Sequence, residues 1–348
     1  MDVNVSTRLA PHHYIKFDNT GAFKGMSLQK QRILVIDNRP KLKLSPKPIT
    51  KDEAGAEQVR QEEDKVIDKL LSGIEHKKIV YDPKALSIPE EAFTQIVLLS
   101  YDKDVIGKIK AVLEKRWSNE QQLDGILFVA GRTDSLYAEF NSPYICLIPL
   151  KHAVDSAALW GVSFAVMNAN YASEPARPYQ NLKLPGITSA ASEGFTLAER
   201  EELLGKGFSS WRKAGDDIMV DRLITTFLKS VAGADDPSYR DLNTLQTLSL
   251  LRYDFRSSVA LRYPRHMLAK DGYQYKGPVV TPKMLRSFCI TKYRQWQENS
   301  LVQDEVGMFK KRLSVEVDKN TPGKVNITLP IQVMGQWRIT DTTISFEL

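Results

Sequence analysis

Four short apolar runs constrain the fold of the first half of this chain more than any other feature. They are Gln31–Asp37 (QRILVID), Gln95–Ser100 (QIVLLS), Gly125–Ala130 (GILFVA) and Pro143–Pro149 (PYICLIP). Each is continuous rather than alternating, which is the pattern of a strand buried on both faces. Helical patterns lie between them. Lys51–Gly73 puts Val59, Val66, Ile67, Leu70 and Leu71 on one apolar face, with charges elsewhere. A second helix is expected from about Asp102 to Trp117, and a third over Asp155–Asn168 with Asp155 as its cap. Lys77–Tyr81 reads as a short strand, and Ser135–Phe140 as helical or turn-like. Strands alternating with helices imply an α/β layer around a mainly parallel sheet.

Such a layer raises the question of a nucleotide site. The sequence contains neither G-x-G-x-x-G nor G-x-x-x-x-G-K-[ST]. Ala130-Gly-Arg-Thr-Asp134 follows a strand, and Gly131-Arg132 there could meet an anion, although one glycine also makes a plain turn. Other reaction motifs are missing too: there is no H-E-x-x-H, paired C-x-x-C or G-x-S-x-G. His12-His13 form the one close histidine pair, and His266 reads as structural. Asp216-Asp217 and Asp235-Asp236 suit turns and helix caps. Cys146 and Cys289 each sit in an apolar or amphipathic stretch, as buried free thiols do. The residues therefore give no catalytic, cofactor or metal site.

Charge and hydropathy narrow the classes further. No run approaches the length of a membrane-spanning helix, and no signal peptide is recognisable at the start, so a cytoplasmic origin is expected. The net charge is +6. Basic residues spread through Leu261–Ser300, among them Lys283, Arg286, Lys292 and Arg294. They suit a solvated helix face or an acidic partner surface. Direct nucleic-acid reading is disfavoured because no helix-turn-helix, zinc-finger or RNA-binding signature is present.

The stretch Tyr171–Arg265 has a distinctive order. Pro175, Pro178, Pro185 and Gly186 shape an extended connection. Thr196-Leu-Ala-Glu199 is a capping box that starts a short helix ending near Gly205 or Gly207. A hairpin is expected around Lys213–Asp216, then a long helix opened by Asp235-Asp-Pro237 and carrying Leu242, Leu245 and Arg252 at helical spacing. Thr281-Pro282 starts another helix, whose stripe is Leu285, Phe288, Cys289, Lys292 and Trp296. Lys311–Val317 and Lys324–Leu329 alternate as strands about Asn320–Gly323.

Three pieces of this half, PARPYQNLKLPGI, EREELLGKGFSSWRKAGDDIMVDRLITTF and DDPSYRDLNTLQTLSLLRYDF, occur in an order and spacing that resemble the contractile tail sheath proteins of Mu-like tailed phages. The chain departs from that family's pattern between Asp37 and Ala92, where it is short and highly charged. The resemblance implies an α/β sheet domain and a C-terminal mixed α+β sheath domain with extended strand arms. On that division the N-terminal arm covers 1–25, the α/β domain 26–190, the sheath core 191–335 and the C-terminal arm 336–348.

It also implies a structural, non-enzymatic role without cofactors. Subunits of such sheaths form stacked hexameric rings around a tail tube, with baseplate and tail terminator proteins as further partners. They act in the virion tail after assembly in the host cytoplasm, without membrane insertion or direct nucleic-acid contact. A tailocin or type VI-like sheath is the related alternative, and an α/β enzyme binding an anionic ligand is the unrelated one. Arms of such proteins exchange strands between neighbours. Here the candidates are Tyr14, Ile15, Lys16 and Phe17 at one end and Thr343, Ile344, Ser345, Phe346, Glu347 and Leu348 at the other. Lys283, Arg286, Lys292 and Arg294 are candidates to face an acidic tube.

Overall fold

The computed structural model describes residues 26–40, 51–84, 86–134, 140–151, 153, 155–187 and 194–347, with backbone only for 51–54. The chain divides into two compact units. The larger holds residues 29–252 and 332–348, and the smaller holds 253–331 with the described residues 26–28. The division runs through a helix of the central stretch, and residues 190 and 336 both lie within the larger unit.

The larger unit is built on a fully parallel five-stranded sheet. Its strands are β1 (Arg32–Asp37), β2 (Glu75–Val80), β3 (Gln95–Leu98), β4 (Ile126–Arg132) and β5 (Ile145–Leu150), in the order β2-β1-β3-β4-β5. The four apolar runs are β1, β3, β4 and β5, as their hydropathy requires, and they fill the core. Helix α1 (Lys51–Leu71) crosses from β1 to β2, and α2 (Lys103–Arg116) crosses from β3 to β4 in the other direction. Right-handed crossovers place these two on opposite faces.

Helix α3 (Ala157–Tyr171) packs on β1, β3, β4 and β5 and against α1. It is apolar on almost every side, and all its residues from Ala158 to Ala169 are buried. A side chain at Gly161 would put its Cβ 3.3 Å from Val97, so glycine here lets α3 lie close on β3.

Several local expectations change. Ser156, rather than Asp155, caps α3, its hydroxyl accepting from the Leu159 amide at 3.2 Å. Among the described side chains of α1 only Ile67 and Leu71 are buried, while Val59 is 71% and Val66 39% exposed. The charged side of β2 is no surprise on an edge strand, since Lys78 pairs with Asp68 of α1, and Lys77 with Glu91 at 3.0 Å. Ser135–Phe140 lies almost wholly outside the described residues.

The central stretch closes the other edge of the sheet. Helix α4 (Leu197–Gly205) has the capping box, with Thr196 and Glu199 each bonding the other's amide. Strands β6 (Ser210–Ala214) and β7 (Asp217–Arg222) form the expected hairpin. Beside it, the Ser209 and Thr226 amides donate to Leu147 and Ile145 of β5, each at 2.9 Å. Trp211 is fully buried against Trp160 of α3, with ring centroids 4.6 Å apart, and its indole N–H donates to Pro149 at 2.8 Å.

Helix α5 (Leu242–Arg262) begins later than Asp235. Asp236 instead accepts the Ser238 amide at 2.9 Å, and the Asp236 amide donates back to Leu228 at 2.9 Å. That segment is thereby tied into a turn.

In the smaller unit, the stripe read from the sequence is the buried face of α6 (Pro282–Glu298), capped by Thr281. Tyr293 stacks on Phe309 of α7 (Val306–Arg312), with centroids 4.0 Å apart. Helix α7 takes the first two residues of the Lys311–Val317 strand expectation. The strands that form are β10 (Ser314–Val317) and β11 (Val325–Thr328), paired antiparallel, after the two-residue strands β8 (Met267–Leu268) and β9 (Val279–Val280).

Both cysteines are buried and free. Burial pushes the Cys146 thiol up to about 12 and Cys289 up to about 11. Neither should react with an aromatic disulfide reagent in the native protein at pH 8, and both should titrate after unfolding. One stoichiometric native thiol would contradict this packing.

Candidate assembly surfaces

The C-terminal segment contains the largest exposed apolar pattern in the larger unit. Residues 334–347 join no helix or strand. Trp337, Ile339, Ile344 and Phe346 are 81%, 86%, 83% and 80% exposed. The strand expected over Trp337–Leu348 therefore has no partner strand within the described chain, while its alternation of Ile344 and Phe346 with Thr343, Ser345 and Glu347 stands fully in solvent. Leu348 and the other candidate arm, Tyr14–Phe17, lie outside the described residues.

The segment is held at its root. Arg338 grips both carboxylate oxygens of Asp241, at 2.9 and 3.1 Å, and its other side meets Gln336. Arg222 takes the same carboxylate at 3.0 and 3.1 Å, so one acid lies between two guanidinium forks. Burial lowers the Arg338 guanidinium from its ordinary value, and Arg222 adds repulsion that Asp241 opposes. Beyond this root the backbone N–H and C=O groups face water and are available to another strand.

Two kinds of strand edge are present for comparison. The β2 edge carries Glu75, His76, Lys77 and Lys78, and such charges deter pairing. The β10–β11 pair is an isolated two-stranded hairpin among the described residues, and two strands alone are marginal without added packing. It has support at its turn, where Asn326, the Asn320 and Thr321 amides and Lys324 converge on Asp318 and lower its carboxyl to about 2.

The four basic candidates separate into two groups. Lys283 and Arg294 are exposed on α6. Arg286 is half-buried and donates to the Leu313 carbonyl at 2.6 Å and to Lys310, closing the start of β10. Lys292 is a correction: its side chain is 4% exposed and pairs at 2.7 Å with Asp254, which is fully buried. Its place on the apolar stripe already put it inside, and its charge is balanced there. Asp254 also accepts from the Trp296 indole and the Ser27 amide, each at 2.7 Å. Asp254, Asp241 and Arg338 had no motif to mark them; only the tertiary fold brings their partners together.

The anion-site alternative fares differently. Arg132 is largely exposed and paired with Asp134 at 3.1 Å, within its own turn. At the strand-order reversal between β1 and β3, where a nucleotide would sit in such a sheet, Asp37 is occupied by Arg39 and Arg60 at 2.8 and 3.1 Å. Arg39 reaches on to Glu63 and Asp64, each at 2.8 Å, so these guanidinium groups are engaged within the protein. Among the described residues no cluster of three or more metal-ligating side chains occurs, and no helix is long and apolar enough to cross a membrane.

Comparison with known proteins decides the family. Residues 234–347 match the family model of the phage tail sheath C-terminal domain. Over 71% of its length the chain is 35% identical to the tail sheath protein of the Mu-like prophage FluMu from Haemophilus influenzae. The chain is a tail sheath homologue. It spans 52% of that relative's length. Its fold resembles a chain of the anti-feeding prophage baseplate, with a TM-score of 0.55 at 14% identity, covering 98% of this chain and 100% of that one. It also resembles the sheath complex of an extracellular contractile injection system in its contracted state, with a TM-score of 0.56 at 12% identity, covering 98% and 99%. At such identities the likeness is one of fold.

The buried Lys292–Asp254 pair yields a direct test. Lys292→Met leaves a buried carboxylate without its cation, which costs about 3 to 5 kcal/mol. The smaller unit should then unfold at a clearly lower urea concentration than the parent, and an unchanged midpoint would mean that the pair is not buried as described.

Proposed function

We propose that this tail sheath homologue is the subunit of a contractile sheath, a structural and not a catalytic protein. The observation that carries the reading is the C-terminal segment: an alternating apolar stretch, rooted at Arg338, whose main chain joins no strand among the described residues. Strand addition to a neighbouring copy would pair its N–H and C=O groups. Each inter-subunit hydrogen bond contributes only about 0.5 to 1.5 kcal/mol net. Several per arm, repeated on every copy, make a continuous mesh. The N-terminal candidates Tyr14–Phe17 would serve the same purpose at the other end, so that arms 1–25 and 336–348 extend from the two compact units of the fold.

In this reading the copies form hexameric rings stacked helically around a tail tube, between baseplate and terminator proteins. Assembly takes place in the host cytoplasm, and the finished sheath belongs to the virion tail. Contraction is a rigid-body rearrangement with the arms as tethers. Its free energy comes from surface newly buried between subunits, in keeping with a sequence that carries no phosphate-loop motif. A sheath in a phage-tail-like injection device is the second reading, favoured by the near full-length fold likeness to the anti-feeding prophage and injection-system chains. In either case Lys283 and Arg294 are the exposed α6 cations suited to an acidic tube.

Electron microscopy of the full chain, alone and co-expressed with its tube protein, should show rings or sheath-like tubes. Deletion of Thr340–Leu348 should abolish them. Uniform small particles from the full chain in both settings would refute the sheath reading. Charge reversal at Lys283 and Arg294 together should weaken assembly on tubes while leaving the melting temperature unchanged, and full assembly by that variant would remove the tube-facing assignment.

A further inference from the structure

The described start of the C-terminal arm, and the backbone just after the N-terminal one, are fixed to acids of the α5 segment. Asp241, the residue before Leu242, holds Arg338 at 2.9 Å. Further along the same helix, Asp254 accepts the backbone amide of Ser27 at 2.7 Å. Residue 27 is the second after the N-terminal arm 1–25, and residue 338 lies near the start of the C-terminal one.

Neither acid needs its arm for charge balance. Asp241 already has the two-pronged Arg222 contact. Asp254 already has Lys292 and the Trp296 indole, each at 2.7 Å. A carboxylate offers about four acceptor sites. In both places the body of the protein uses some of them, and the chain end takes others, two from Arg338 at Asp241 and one from Ser27 at Asp254.

The two contacts also differ in chemistry. Arg338 supplies a side chain in fork geometry, which fixes direction as well as distance. Ser27 supplies only its main-chain N–H, which fixes the path of the backbone itself. Each therefore restrains where its arm leaves the folded body. Restraining the exit lowers the ordering cost that a free tail would carry into every inter-subunit contact.

We propose that Asp241 and Asp254 are positioning residues for strand exchange, and that the α5 segment holds the roots of both arms. The use made of the arms rests on the sheath reading above; the anchoring is a property of this chain alone.

The test separates the two. Ser27→Pro deletes the amide that Asp254 accepts, whereas Ser27→Ala keeps it. Arg338→Ala removes the fork, whereas Arg338→Lys keeps the charge. A nitroxide is placed on Met26→Cys or Asp341→Cys in the soluble full-length protein, where the native thiols are buried. Ser27→Pro should loosen the first label and Arg338→Ala the second, with Ser27→Ala close to the parent and Arg338→Lys, which keeps the charge without the fork, in between. Unchanged label mobility overturns the anchoring.

In polymerisation on co-expressed tube, the two disrupting variants should melt as the parent does but lose about tenfold in assembly, the order of one such bond. Parent-like assembly overturns the positioning role. If the unmutated chain forms no polymer at all, the sheath reading fails, and label mobility still decides the anchors.

Discussion

A C-terminal segment with exposed apolar side chains and no sheet to join among the described residues is the constraint that gives this molecule its logic. Main-chain N–H and C=O groups are obligatory hydrogen-bonding groups, and water satisfies them only while they stay exposed. Trp337, Ile339, Ile344 and Phe346 remain in that water, although burying side chains of this size is worth about 1.5 to 3 kcal/mol each. A second strand would satisfy both demands at once. The rest of the chain supplies rigid bodies from which that segment extends.

Those bodies are organised so that few other surfaces compete for it. The β5 edge is covered by Ser209 and Thr226, and the β2 edge is lined with lysines already paired to acids. Edge charges of this kind suppress unwanted pairing. The parallel sheet has the strand order of many nucleotide-binding layers, yet Asp37 at its order reversal is engaged by Arg39 and Arg60. A shared strand order does not by itself fix a function.

Much of this was legible in the sequence because the signals were local. Continuous apolar runs specified the buried strands, the Thr196–Glu199 box specified the start of α4, and Thr281-Pro282 specified the start of α6. Readings failed where tertiary contacts outweighed local chemistry. Asp235 and Asp236 look like helix openers, but pairing with the 228–229 segment holds them in a turn. Lys292 looks like a surface cation until Asp254 is seen beside it. Val59 and Val66 have helical spacing, yet of the expected face it is Ile67, Leu70 and Leu71 that pack on the core. Asp241 and Arg338, far apart in sequence, carried no signal that spacing or composition could reveal.

The central claim is that the C-terminal arm completes a sheet in another copy of the chain. Its most direct test is a photo-crosslinking residue in place of Phe346, in a polymer assembled from equal parts of isotopically heavy and light protein. Mass spectrometry of the linked peptides then identifies both the contacted strand and the copy that owns it. The account predicts heavy-to-light links from position 346 to the edge of a strand. Links confined to a single copy would show that the arm folds back on its own chain, and would contradict the claim.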